Sequence, residues 1–83
     1  MDDYCLICHR PATDTHHMIH GTSGRKLADE DGLTCRLCHE CHMELHSTGK
    51  HDGELKQAAE RIWLSKTGKT VEDFIKRYGR NYL

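Results

Sequence analysis

The chain has 83 residues, with one proline, five cysteines, eight histidines and a formal net charge of −1. A chain this short forms one domain that buries only about 60–65% of its unfolded surface, so its core needs a staple. No apolar run approaches the ~18 residues of a membrane span. The near-neutral total gives no general basic character, and cysteines mixed with many histidines favour bound metal over disulfides.

No apolar leader precedes Asp2-Asp3, which predicts an intracellular, cytoplasmic chain with reduced thiols. Charge is uneven: residues 1–49 carry four Lys/Arg against eight Asp/Glu, and residues 50–83 carry eight against five. The C-terminal portion is thus net basic. The organisation expected is a single domain, with the metal-bearing part in residues 1–52 and a helical extension in residues 53–83.

In chain order, CLICHRPATD opens with a CxxC and runs into Pro11, which suits a turn. THHMIH, residues 15–20, reads as a short strand. GTSGRK, with two glycines and two small hydroxyl residues, reads as a loop or wide hairpin connection that closes with ADEDG, residues 28–32. LTCRL, residues 33–37, alternates enough to be the return strand. HECHMELHS has no Gly or Pro and predicts a helix over residues 39–48, stopped by Gly49. Leu55, Ala58, Ala59 and Ile62 recur at helical spacing over Glu54 to Lys66, with Trp63 beside them. Thr70 followed by Asp73 resembles a cap for a last helix whose apolar face is Val71, Phe74, Ile75 and Tyr78. Trp63, Phe74 and Tyr78 are expected in the core.

Two CxxC pairs, Cys5/Cys8 and Cys38/Cys41, supply four thiolates for a closed tetrahedral site, the signature of a structural zinc that contributes folding energy. Cys35 and Cys38 form a competing CxxC. Pairing Cys38 with Cys41 puts the second knuckle at the start of the helix and leaves Cys35 as a small buried strand residue. His42 and His46 are four apart on the predicted helix and share a face, while Cys41 is turned away from His42 by about 100°. Adjacent residues can therefore serve different ions. His16 and His17 sit on a strand where neighbouring side chains diverge, so one would be a ligand and the other free. Three imidazoles around an ion with open positions describe a catalytic site, and a further neutral imidazole can act as general base.

CLIC, DTHHMIHG and LCHECHMELH together resemble the HNH endonuclease superfamily. Among its members the similarity is to colicin-type DNases and to small phage-encoded Ref-like nucleases. The resemblance implies a small α+β chain with a ββα-metal, treble-clef-like core, here with the four-cysteine zinc and two C-terminal helices. It implies His16 as first metal ligand, His17 as general base, and His42 and His46 as the helix ligands, with His51 the rival third ligand. It also implies hydrolysis of phosphodiester bonds, most naturally in DNA, with Mg²⁺, Mn²⁺, Zn²⁺ or Ni²⁺ as the working ion, in a phage or prophage protein. The family's base-orienting asparagine has no counterpart, since no asparagine occurs before Asn81.

For DNA the candidates are Arg25 and Lys26 in the connection and Lys50 after the helix, extended by Arg61, Lys66, Lys69, Lys76, Arg77 and Arg80. Such contacts would be to phosphates and sensitive to salt. His9, His20 and His39 are expected at the surface or behind the ligands. A chain this small leaves sequence selectivity to a homodimer or a larger partner. The alternative is a noncatalytic zinc-knuckle module that binds nucleic acid or protein.

Overall fold

The computed structural model describes residues 3–20 and 22–83. Asp2, and Gly21 at the head of the predicted connection, lie outside them. The architecture is small α+β: strand β1 (Asp14–His17), helix α1 (Thr22–Asp31), strand β2 (Thr34–Leu37), then helices α2 (His39–Thr48), α3 (Asp52–Thr67) and α4 (Val71–Tyr78). The strands pair antiparallel with Asp14 opposite Leu37, Thr15 opposite Arg36, His16 opposite Cys35 and His17 opposite Thr34. None of the described helices is long and apolar enough to cross a membrane.

Helix α2 falls on the predicted residues, and its αL stop is Gly49, at φ 76°, whose N–H is donated to the Leu45 carbonyl. Helix α3 starts two residues earlier and ends one later than expected. Thr70 caps α4 through a reciprocal bond with Asp73, the arrangement anticipated from their spacing. The first strand is shorter than expected. Met18 and Ile19 leave it to become buried core residues, although the Met18 N–H still reaches the Leu33 carbonyl.

The connection between the strands is not a loop. It contains the ten-residue α1, so Arg25 and Lys26 stand on a helix. Gly24, read as a turn residue, serves close packing instead: a Cβ there would lie 3.1 Å from Ile19 Cγ2. Ala28 is fully buried. Arg25, Lys26, Leu27, Ala28 and Glu30 are helix formers, and burial of Ala28 selects the face of the helix that packs.

The far end of α1 is strapped to α4. Arg77 donates Nε and Nη2 to the two carboxylate oxygens of Asp31 at 2.7 and 2.9 Å, and the Tyr78 hydroxyl donates to Oδ2. Lys66 Nζ donates to the Asp31 carbonyl at 3.0 Å. Arg77 and Lys66 are therefore struts of the fold as well as members of the basic set. Trp63 and Phe74 are buried with ring centroids 5.4 Å apart, and Tyr78 stacks on Phe74.

Burial of Asp31 opposes ionisation, but the Arg77 guanidinium and Tyr78 hydroxyl outweigh it and hold the carboxyl below its usual range. Because the folded value lies below the unfolded one of about 3.9, the strap is fully stabilising above that pH and is lost as pH falls through the folded value. Asp31→Asn should lower unfolding free energy by about 1–3 kcal/mol at neutral pH and flatten the acid limb of the stability profile. Denaturant melts of both proteins at neutral and acid pH measure this.

Candidate metal centres

Two turns of similar local geometry bring the four cysteines together. In each, the backbone N–H of the second cysteine points at the sulfur of the first: Cys8 N to Cys5 Sγ and Cys41 N to Cys38 Sγ, both at 3.5 Å. The first turn is closed by Cys5 N to Arg10 O at 2.7 Å and by His9, exposed at φ 66°, in the left-handed region. The second runs straight into α2, with Cys38 as its N-cap, so that a sulfur faces the positive end of the helix.

The four sulfurs all lie within 4.8 Å of one another. Cys8 and Cys38 Sγ are 3.6 Å apart, against ~3.8 Å for two sulfurs about 2.3 Å from one tetrahedral zinc. Arg10 Nε, 3.3 Å from Cys8 Sγ, lowers that thiol to about 6, while desolvation and the neighbouring sulfurs push Cys41 up to about 12. Four sulfurs this close cannot all ionise without a cation among them. The cluster can hold a metal ion, and its donor set is the one zinc prefers.

Cys35, on β2, lies outside that cluster. Burial and nearby Cys5 push its thiol up to about 11, the behaviour of an inert packed cysteine. Cys35→Ser should accordingly leave the metal content unchanged in elemental analysis. Loss of one equivalent would make Cys35 a ligand.

One helical turn further on, the second group assembles. One nitrogen each of His16, His42 and His46 lies within 4.8 Å of the others. His42 and His46 Nε2 are 3.0 Å apart, while two nitrogens about 2.0–2.1 Å from a shared ion lie ~2.9–3.4 Å apart. His16 is 3% exposed and its Nε2 is buried with no hydrogen-bond partner. Burial, with the His42, His46 and His20 rings nearby, pushes His16 down to about 4, so its ring is neutral at neutral pH and free to be a ligand. An unsatisfied buried nitrogen facing two others is what an ion would resolve. Cys41 and His42, adjacent in sequence, thus face different clusters.

His51 does not join this group. It is the N-cap position of α3 at φ 67°, with Nδ1 3.4 Å from Glu54 Oε1, and of the two rival ligands His46 is the one brought to His16 and His42. His17 points from the other side of β1 towards α1, with Nε2 3.5 Å from Asp29 Oδ1. His17, Arg25, Lys26 and Asp29 line one open cleft of about 410 Å³. Lys50 pairs with Glu44 at 3.0 Å, so that charge is partly answered within the chain.

Three carboxylates escaped the sequence reading. Asp14 Oδ2 lies 2.9 Å from His42 Nδ1 and 3.2 Å from His39 Nδ1. The His42 contact foremost, with Thr13 and His39, lowers Asp14 to about 2. Asp52, at the start of α3, meets His20 Nε2 at 2.8 Å and Lys56 Nζ at 2.9 Å, and the His20 ring centroid is 6.2 Å from that of His16. Asp29 faces His17. Strand parity was an available signal for Asp14, which is two residues from His16 and so shares its face. No local pattern pointed to Asp29 or Asp52.

No protein-family model, curated protein or solved structure matches the chain.

Proposed function

We propose that the chain is a metal-dependent endonuclease of the HNH kind, with a ββα-metal core, cutting phosphodiester bonds in DNA. The observation that carries this reading is the convergence of His16, His42 and His46, three imidazoles of which His16 has a buried and unpartnered nitrogen, beside a separate closed set of four sulfurs. Three protein ligands leave positions open for water and substrate, whereas a purely structural site closes all four.

His17 takes a proton from water as the oxygen attacks phosphorus and the bond to the 3′ oxygen breaks. The group facing its Nε2 is the Asp29 carboxylate, where the resemblance would have an asparagine nearby, so Asp29 is the residue that orients the base. A divalent ion at the three imidazoles would stabilise the charge developing on the phosphate and the leaving 3′ oxygen. Arg25 and Lys26 flank His17 and are exposed, which suits them to hold neighbouring phosphates of the strand. The sulfur cluster is read as a structural Zn²⁺ site.

The test is a supercoiled-plasmid nicking assay with Mg²⁺, Mn²⁺, Zn²⁺ and Ni²⁺, run beside metal stoichiometry. The endonuclease reading expects two ions per chain, one more exchangeable, and nicking that requires it. One tightly held ion and no cleavage with any metal would favour a noncatalytic zinc-knuckle module.

A further inference from the structure

Helix α2 delivers His42 to the three-imidazole group, but a helix fixes only where the side chain starts. Which ring nitrogen carries the proton is decided by what the far side of the ring meets. We propose that Asp14 is a positioning residue for this site, holding the His42 imidazole in the tautomer whose Nε2 lone pair faces His16 and His46. The inference rests on reading those three histidines as a metal site.

The geometry is specific. An ionised carboxylate only accepts hydrogen bonds, so at 2.9 Å from Asp14 Oδ2 the His42 Nδ1 must be the protonated nitrogen. In the neutral ring, the form that binds a metal, the single proton is then excluded from Nε2, the atom 3.0 Å from His46 Nε2. Without the carboxylate the proton can sit on Nε2, where it would cover the ligand lone pair. Asp14 is itself held: the Thr13 hydroxyl donates to Oδ1 at 3.0 Å, leaving Oδ2 for the ring, and the pairing of Asp14 with Leu37 anchors its backbone at the edge of β1. The strand's two-residue period puts Asp14 and His16 on one face, so a single strand supplies a ligand and the support of another ligand.

His39 contacts the same Oδ2 at 3.2 Å but is 71% exposed in its side chain and is not among the clustered imidazoles. It is a second guest on the carboxylate, and removing it leaves the Asp14 to His42 bond in place.

The experiment titrates Co²⁺ into the full chain with zinc already in the cysteine cluster. Ligand-field bands lacking sulfur-to-cobalt charge transfer report the imidazole site alone. Asp14→Ala and Asp14→Asn should each bind Co²⁺ there about 10–100-fold more weakly, the usual cost of losing a carboxylate behind a ligand histidine. Cysteine-bound zinc and the thermal melt should stay as in the parent, and His39→Ala should bind Co²⁺ within about twofold of it. Parent-like Co²⁺ affinity in both Asp14 variants would overturn the proposal, as would an equal loss in His39→Ala. Loss of cysteine-bound zinc in both variants would make Asp14 a folding residue instead. A parent chain that binds no second ion overturns the imidazole site itself, and the role of Asp14 with it.

Discussion

Cys38→Ser should abolish cooperative folding, and a strong chelator should do the same to the unaltered chain. A domain of 83 residues is stable by about 4–12 kcal/mol in all, whereas a structural zinc in small peptides binds with an apparent ~10–16 kcal/mol. The apolar core of this chain is small and shares its boundary with the sulfurs, since Cys5 and Cys38 are themselves buried members of it. Cys38 also caps α2, and because serine is itself a favoured N-cap, Cys38→Ser keeps the helix start and removes the ligand alone. Far-UV circular dichroism melts with and without chelator measure the effect. A Cys38→Ser chain that melts within a few degrees of the parent would show that the sulfur cluster is not the staple.

His16→Ala and His17→Ala, neighbours in sequence, should fail in different ways. The first removes a buried ligand nitrogen, so the exchangeable ion and all nicking should go together. The second leaves the three imidazoles intact, so the ion should remain while the nicking rate falls about 10²–10⁴-fold, the range lost with a general base. Single-turnover nicking beside direct metal analysis separates the two. His20→Ala belongs in the same series, because the Asp52-bound His20 lies closer to the clustered rings than sequence spacing implied. If His20→Ala loses the rate and His17→Ala keeps it, the base has been assigned to the wrong histidine.

How much of this was legible varied with the distance over which each feature is specified. The cysteine spacing, the i, i+4 histidines of α2 and the Thr70 to Asp73 cap are local, and the structure assembles all three as their spacing predicts. Helix α1 was missed because the glycine and hydroxyl residues at its head and the aspartates at its end read as loop, and the helix formers Arg25, Lys26, Leu27, Ala28 and Glu30 form only a short run whose docking is set by distant contacts. Ala28 is buried by the rest of the chain, and Asp31 is held by Arg77, 46 residues away. The carboxylates behind the histidines were missed for a similar reason. Asp14 meets His42 across 28 residues and Asp52 meets His20 across 32, and aspartates on a charged surface carry no mark of such partners. Helical geometry also held the adjacent Cys41 and His42 apart, which is why two crowded motifs resolved into two clusters.

The two clusters are not equals. Both use α2, but its sulfurs, Cys38 and Cys41, lie at its root and in its first turn, whereas His42 and His46 lie further along, His46 in the last turn. The sulfurs are brought together by two short turns, whereas the imidazoles converge where α2 docks on β1. On the proposed two-ion reading, order at the sulfurs becomes a precondition for the convergence of His16, His42 and His46, so occupancy of the first site conditions the second.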